Sequence, residues 1–250
     1  MSGHSKWSKI KRQKGVADVK KGKIFSQLSK AVTLMAKDGG GDPGMNPALK
    51  LAIEKAKQAN MPLDNIEKAI KKGTGELEGG TIEEVLYEAY GPSGIAMIIE
   101  GTTDNTNRTV AEIKHILSRN NGRLGEAGSV KWMFERFGYL EIEKKDLSIS
   151  EDDFEMLIID AGAEDFITSP SSSLSGGKII IVVYTKPEDL YKVKESLERN
   201  NIRTSDSGFE WRAKNKIKVD DEKINKQIEK LFEALDEQED VGEVFSNLEE

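Results

Sequence analysis

The sequence predicts an α+β protein in which a small N-terminal helical bundle precedes two ferredoxin-like α+β domains. Three observations predict this class. Apolar residues recur at spacings of three and four up to residue 72, strand and helix patterns alternate after residue 80, and one strand–helix–strand pattern occurs twice. The chain has 250 residues and no cysteine. It is long enough to bury a core without disulfides, and cysteine-ligated metals and thiol catalysis are excluded.

Three short helices are predicted in the first part of the chain. The first covers about residues 22–37 and ends at a run of glycines. The second begins after Asn46, which is suited to be its N-cap. The third covers residues 62–73, and the glycine-rich stretch 73–80 is typical of a linker. Short connections between three amphipathic helices indicate a bundle.

Strands and helices alternate in the remainder of the chain. The predicted strands cover residues 85–90, 95–102, 130–136, 139–143, 179–185, 210–219 and 241–245. The predicted helices cover residues 107–120, 150–161, 187–200 and 221–235. Ser150 and Asp153 form a capping box at the start of the second of these helices.

One strand–helix–strand segment is repeated. In both copies the helix ends in Arg-Asn-Asn, beginning at Arg119 and at Arg199, and a tryptophan follows, Trp132 and Trp211. Because a matching apolar strand precedes each helix, the repeat predicts two α+β modules of similar topology.

Charge is distributed unevenly along the chain. The formal net charge of −7 taken alone argues mildly against a nucleic-acid binder. Residues 1–72, however, hold 16 Lys and Arg against 6 Asp and Glu, whereas residues 73–250 hold 21 against 38. Within residues 1–23, eight basic residues face Asp18 alone. Such a chain is suited to meet a polyanion with one end.

The basic arm, residues 1–23, is therefore the candidate nucleic-acid interface. Its cationic side chains can neutralise phosphates, and Trp7 is suited either to stack on a base or to anchor the arm to its own domain. The candidate contacts are Lys6, Trp7, Lys9, Lys11, Arg12, Lys14, Lys20, Lys21 and Lys23. A lysine-rich terminus that is merely solvated is the alternative. The sequence contains no helix-turn-helix, zinc-finger or RNA-binding sheet motif that would read bases.

Motifs for other chemistry are missing. His4 and His115 lack metal-ligand spacing, and His115 is expected at the surface or in packing. The glycine-rich stretches 38–44 and 72–75 lack the context of a phosphate loop, and the acidic groups in 152–155 and 236–240 are expected to be solvated. We expect no catalytic site, metal, cofactor or small-molecule substrate.

No apolar run is long enough to span a membrane, and the N-terminus lacks the apolar segment of a secretory signal. The expected location is the cytoplasm, with no membrane partner.

Several segments resemble the YebC/PmpR family. The first is the stretch GHSKWSKIK of residues 3–11, followed by DVKKGKIF of residues 18–25. Further matching motifs are Asp42-Pro43, Asn60-Met61-Pro62, Tyr87-Glu88, Gly91-Pro92, Thr103-Asp104-Asn105 and Asn107-Arg108. Lys21 stands where an arginine is common in the family, which keeps the charge.

The resemblance implies three domains, the third inserted in the second. They are an arm and helical domain, residues 1–75, a first α+β domain, residues 80–128 with 220–250, and an inserted α+β domain, residues 129–219. Family members are described as DNA-binding transcriptional regulators of the cytoplasm. Close relatives, including a mitochondrial translational activator of cytochrome oxidase, act on the ribosome and assist translation of proline-rich stretches.

We therefore expect a non-enzymatic, nucleic-acid-binding regulator, with DNA-binding transcriptional regulation placed first. A ribosome-associated factor that binds ribosomal RNA and an acidic protein-interaction scaffold are the alternatives. Arg108, at the start of a predicted helix, is a candidate for a secondary phosphate contact. An unrecognised enzyme would need a polar site, for which Arg108, Tyr87 and Asp104 are the candidates.

Overall fold

The computed structural model describes residues 18–78, 80–147, 149–170 and 179–249. These residues form two units, one made of Phe134–Arg212 and the other of the described residues on both sides of it. The finer division into domains 1–75, 80–128 with 220–250, and 129–219 stays a prediction. None of the described helices is both long enough and apolar enough to cross a membrane.

Three helices open the described chain: α1 (Asp18–Gly39), α2 (Pro47–Gln58) and α3 (Leu63–Gly73). Their apolar faces share a core whose members include Val32, Leu49, Ala56 and Ile66. Asn46 caps α2 as predicted, because its side-chain oxygen accepts a hydrogen bond from the Leu49 N–H at 3.0 Å. Its amide also donates to the carbonyl oxygens of Met35 and Gly40, so one buried side chain joins the end of α1 to the start of α2.

The first helix extends further towards the N-terminus than predicted. The described part of α1 already begins at Asp18, four residues before the predicted start at residue 22. This turn carries lysines, which are good helix formers but leave no trace in an apolar periodicity.

The first sheet contains β1 (Glu83–Tyr90), β2 (Ala96–Thr103), β3 (Arg123–Leu124) and β8 (Val241–Ser246) in the order β3-β1-β2-β8. All three neighbouring pairs are antiparallel. Helices α4 (Thr106–Arg119) and α7 (Glu222–Glu237) contribute to its core. That core includes the fully buried Met97, Ile99, Ile113, Leu117 and Leu231.

The second sheet is formed by the unit Phe134–Arg212, and its last strand continues for one more residue, Ala213. Its strands are β4 (Phe134–Glu143), β5 (Ala163–Pro170), β6 (Ile179–Thr185) and β7 (Asp206–Ala213), in the order β5-β6-β4-β7. Helix α5 (Glu151–Ala161) connects β4 to β5, and α6 (Leu190–Arg199) connects β6 to β7. This βαββαβ order is that of a ferredoxin-like domain.

The α+β class, with a helical region followed by two antiparallel sheets, is confirmed. The two sheets differ in how their central strands are connected. In the first sheet a tight hairpin joins the central strands β1 and β2, whereas in the second sheet α5 and β5 lie between the central strands β4 and β6 along the chain.

Three strand predictions are corrected by the structure. Residues 134–143 form one strand, not two, and the strand continues through Gly138. A Cβ at this position would collide with the Thr185 hydroxyl of the neighbouring strand, so the glycine serves close strand packing and does not mark a turn. Strand β5 follows α5 directly and was not predicted, since its sequence lacks clear alternation. The strand expected over 210–219 runs instead over Asp206–Ala213.

Candidate nucleic-acid interface

Most of the predicted arm contacts lie outside the described residues. These are Lys6, Trp7, Lys9, Lys11, Arg12 and Lys14, together with His4. Lys20, Lys21 and Lys23 lie in the first turns of α1, so the part of the basic arm from Asp18 onwards is helical. The Lys21 side chain is exposed, with its ammonium 5.7 Å from the Phe25 ring centre, and Lys23 is half-buried.

Lysines recur on one face of α1, and two of them contact residues of the first sheet or next to it. Lys23, Lys30 and Lys37 are seven residues apart, which is close to two helical turns. The Lys30 ammonium lies 2.5 Å from the Asp240 carboxylate and donates to the Thr102 carbonyl oxygen at 3.3 Å. The Lys37 ammonium contacts the carbonyl oxygen of Ile82 at 3.5 Å. At least Lys30 therefore uses its charge inside the protein and not on a phosphate.

Asp240 is the centre of this contact. It is 2% exposed and also accepts hydrogen bonds from Arg108 at 2.9 Å and from the Thr109 hydroxyl at 2.7 Å. Burial alone would raise the pKa of Asp240, but the hydrogen bonds from Lys30, Arg108 and Thr109 outweigh it and lower the pKa well below its usual value. Asp240 is a paired, buried carboxylate, and the expectation that residues 236–240 form a solvated face is wrong for it.

Local backbone geometry places Asp240 against strand β2. The Thr102 N–H donates to the Asp240 carbonyl oxygen at 2.9 Å, next to a register shift between Glu100 and Gly101. A Cβ at Gly101 would overlap that carbonyl oxygen, so only glycine allows the approach. The Gln238 side-chain oxygen accepts from the Asp240 N–H at 2.7 Å and fixes the turn from α7 into β8.

Arg108 lies at the start of α4, as predicted. Asn105 is the N-cap and accepts from the Arg108 N–H at 3.1 Å. The Arg108 guanidinium is bonded to Asp240 and, at 2.8 Å, to Asp104, and both bonds raise its pKa. The pKa of Tyr87 is raised by burial and by the negative charge of Asp240. These contacts give Arg108 a structural role, and its contact with phosphate stays a prediction.

A second buried carboxylate organises the loop after β3. Glu88, 6% exposed, accepts hydrogen bonds from the backbone N–H groups of Gly128 at 2.5 Å, Val130 at 2.6 Å and Lys131 at 2.8 Å. Burial alone would raise the pKa of Glu88, but the three N–H groups lower it. The Glu88 carboxylate therefore binds three backbone N–H groups of this loop.

Sequence reasoning missed the structural roles of Asp240 and Glu88. Both are single carboxylates among many acidic residues, and no spacing in the sequence indicates that either is buried. Glu88 is marked only by its place in the Tyr87-Glu88 motif that resembles the YebC/PmpR family. It also passed over exposed lysines on α2 and α3, which are Lys50, Lys57, Lys68, Lys71 and Lys72. The last turn of each of these helices carries two lysines, a position where a cation also favours the helix dipole. His115 is exposed on α4, within the expectation for it.

Comparison with known proteins covers nearly the whole chain. Residues 5–76 match the family model described as the TACO1/YebC protein N-terminal domain, and residues 82–248 match that of the TACO1/YebC second and third domain. A "probable transcriptional regulatory protein" of Halothermothrix orenii is 47% identical over 247 residues, which cover 99% of this chain and 94% of that protein. A relative of the same description from Caldanaerobacter subterraneus subsp. tengcongensis is 48% identical, with 100% and 98% covered.

A solved structure is also similar. The crystal structure of a conserved hypothetical protein from Aquifex aeolicus matches with a TM-score of 0.80 and 42% sequence identity. The match covers 93% of this chain and 91% of that one.

Proposed function

The chain belongs to the TACO1/YebC family, and from that premise we propose that it is a non-enzymatic regulatory protein that binds DNA through its basic arm and acts on transcription. The descriptions of its relatives as transcriptional regulators support the regulatory role. The proposed contacts are those of the arm, with the cytoplasm as the place of action.

The observation that carries the proposal is the local charge of the arm. Eight basic residues and one acidic residue lie within the first 23 positions of a chain whose net charge is −7. Each lysine or arginine that neutralises a phosphate releases condensed counterions, which gives affinity independent of base sequence. No comparable excess of basic residues occurs in any other stretch of this length in the sequence.

The fold supports an oriented contact. The Lys30–Asp240 pair fastens α1, which continues the arm, to the first sheet. Residues 73–250 contain 21 basic and 38 acidic residues, an excess of 17 acidic residues. A phosphate surface repels this net negative charge. A phosphate surface therefore attracts residues 1–72, whose net charge is positive, and repels residues 73–250 taken as a whole.

Charge reversal tests the proposal. We expect the fourfold variant Lys9→Glu, Lys11→Glu, Arg12→Glu and Lys14→Glu to lose binding to duplex DNA in a fluorescence-anisotropy titration. The matched control reverses four exposed lysines near or on α7, Lys216, Lys223, Lys226 and Lys230, and so makes the same change in net charge. Equal affinity of the arm variant and the wild type would refute the role of the arm.

Ribosomal RNA is the competing partner, favoured by the lack of a base-reading motif in the sequence. Crosslinking in cells followed by sequencing of the bound nucleic acid separates the two. Recovery of promoter DNA is the expected result, whereas recovery of large-subunit ribosomal RNA would replace transcription by a function in translation.

A further inference from the structure

An exposed tryptophan marks a second surface in the first α+β region, which comprises the described residues 80–133 and 213–249 and contains the first sheet. Trp132 follows the loop of residues 125–131, and it is 64% exposed. A side chain of this size is normally buried to a much larger extent, so its exposure calls for a physical explanation.

Hydrogen bonds hold Trp132 in this exposed position. Its indole N–H donates to the Ser129 carbonyl oxygen at 3.1 Å, and the Tyr90 hydroxyl donates to the same oxygen at 3.0 Å. The loop that carries Ser129 is itself fixed by Glu88, which binds the N–H groups of Val130 and Lys131. The polar atom of the indole is satisfied within the protein, and the exposed part of the ring is apolar and fixed in place.

A cation lies against the Tyr90 ring, whose hydroxyl shares the Ser129 carbonyl oxygen with Trp132. The Arg123 guanidinium carbon lies 4.3 Å from the centre of the Tyr90 ring, within cation–π distance. Residues 114–132 contain four basic residues and one acidic residue, although residues 73–250 as a whole contain 21 and 38. The surface thus combines a fixed aromatic ring with local positive charge in an acidic region of the chain.

We propose that Trp132, together with Arg123 and Lys131, binds an unpaired nucleotide, with the base stacked on the indole and the phosphate near the cations. The inference rests on the proposed nucleic-acid binding and adds to it a site separate from the arm. Aromatic rings beside cations are the usual means of holding single-stranded nucleic acid, because every base offers a π face. The base must be unpaired, since a face covered by its neighbours in a duplex cannot stack on the indole.

The test compares Trp132→Ala with Trp132→Phe in the full-length protein. The probes are oligo-dT and oligo-U single strands and a hairpin duplex of equal length. We expect Trp132→Ala to raise the Kd for the single strands by about 5- to 100-fold, and Trp132→Phe to stay within about 3-fold of the wild type. Met45→Ala, which truncates an 83% exposed side chain in the same unit, is the control and should change nothing.

A spectroscopic readout makes the contact direct. In the double variant Trp7→Phe, Trp211→Phe, Trp132 is the one remaining tryptophan of the sequence. Oligo-dT should quench its fluorescence upon binding, and the reversed arm should leave this quenching in place at low salt. Circular dichroism melting of each variant verifies that it folds.

The outcomes separate this inference from the proposed function. If reversal of the arm abolishes duplex binding, while Trp132→Ala leaves single-strand affinity unchanged and oligo-dT does not quench Trp132, the proposed function stands and this site is refuted. If Trp132 is quenched and the reversed arm still binds duplex normally, the site stands and the role of the arm fails. If Trp132→Ala lost binding to a protein partner but kept its affinity for single strands, the inference would also be overturned.

Discussion

The two α+β regions end their repeated helices in the same way. At the end of α4 the Asn120 side chain donates to the Ile116 carbonyl oxygen at 2.8 Å, and at the end of α6 the Asn200 side chain donates to that of Ser196 at 2.9 Å. The next residues, Asn121 and Asn201, have φ angles of 58° and 59°. The repeated Arg-Asn-Asn thus specifies a shared helix end, since asparagine tolerates this left-handed conformation better than most residues.

The same two helices begin differently. Helix α4 follows a capped turn in which Thr103, Thr109 and Asp240 form a buried hydrogen-bond network. Helix α6 follows a turn that begins at Pro187, and its N-cap Asp189 makes no side-chain capping bond. The tryptophans differ as well, since Trp132 is exposed whereas Trp211 is half-buried with the Arg136 guanidinium 6.0 Å from its ring centre.

The repeated segments thus share the ends of their helices, and the buried contacts of Asp240 and Glu88 belong to the first region. Asp240 joins that region to α1, and Glu88 fixes the loop before Trp132. Neither Asp240 nor Glu88 lies in the repeated segments. We therefore expect variants of these two residues to affect the first region alone.

The largest expected effect is that of Asp240→Asn. Loss of the charge leaves Lys30 without its carboxylate partner. Breaking a buried ion pair in this way lowers the free energy of unfolding by about 3 kcal/mol. This value is at the low end of the usual range because the second partner, Arg108, is half-exposed. Hydrogen exchange measured by mass spectrometry should accelerate in α1 and β8 and stay unchanged in β4–β6. The neighbouring exposed Glu239→Gln is the control. Uniform acceleration in both regions would contradict the comparison.

A smaller effect is expected for Glu88→Gln. The amide side chain cannot accept all three N–H groups with the strength of a carboxylate, so we expect a loss of about 2 kcal/mol in the free energy of unfolding. NMR hydrogen exchange of the Gly128, Val130 and Lys131 amides should show the loop opening. The exposed Glu83→Gln in the same strand should show no such change, and unchanged protection in Glu88→Gln would mean that the loop does not depend on Glu88.

Acid should reduce the contribution of Asp240. Because its pKa in the folded protein is below the ordinary value of 3.8, the carboxylate stabilises the fold above that pH and loses its contribution as the pH falls towards the folded pKa. Urea unfolding at pH 5 and pH 2.5 should show the wild type losing about 1–2 kcal/mol more than Asp240→Asn over this interval. Parallel losses in both proteins would show that Asp240 has an ordinary pKa.

The smallest effects should be nearly equal in the two regions, although the Asn121 amide makes one additional exposed hydrogen bond, to the Gln227 side-chain oxygen at 3.3 Å. Asn121→Ala and Asn201→Ala each place a residue with a Cβ but no polar side chain at positive φ, at a cost of about 1 kcal/mol. Asn121→Gly and Asn201→Gly should be close to neutral. Thermal unfolding of the four variants measures both pairs, and a cost in one region only would show that the repeat is not structurally equivalent.

The elements and their class could largely be predicted from periodicity, caps and the repeat. Asn46 was recognisable because a cap is a local signal of a few residues. Strand β5 and the unbroken β4 were not recognisable from the sequence. In β4, the close approach of the Thr185 hydroxyl leaves no room for a Cβ at position 138, and that approach is visible only in the fold. Asp240 and Glu88 could not be identified, because their partners, Lys30 for one and the amides of residues 128–131 for the other, are distant in sequence and come together only in the fold.

The salt dependence of duplex-DNA binding tests the central claim most directly, which is that the arm supplies the phosphate contacts. The logarithm of the affinity of the wild type should fall linearly with the logarithm of salt concentration, by about 0.9 per phosphate contacted. Neutralising Lys9, Lys11, Arg12 and Lys14 to glutamine should make that slope shallower by about 3 to 4, while neutralising Lys216, Lys223, Lys226 and Lys230 should leave it unchanged. Equal slopes in the wild type and the arm variant would contradict the account.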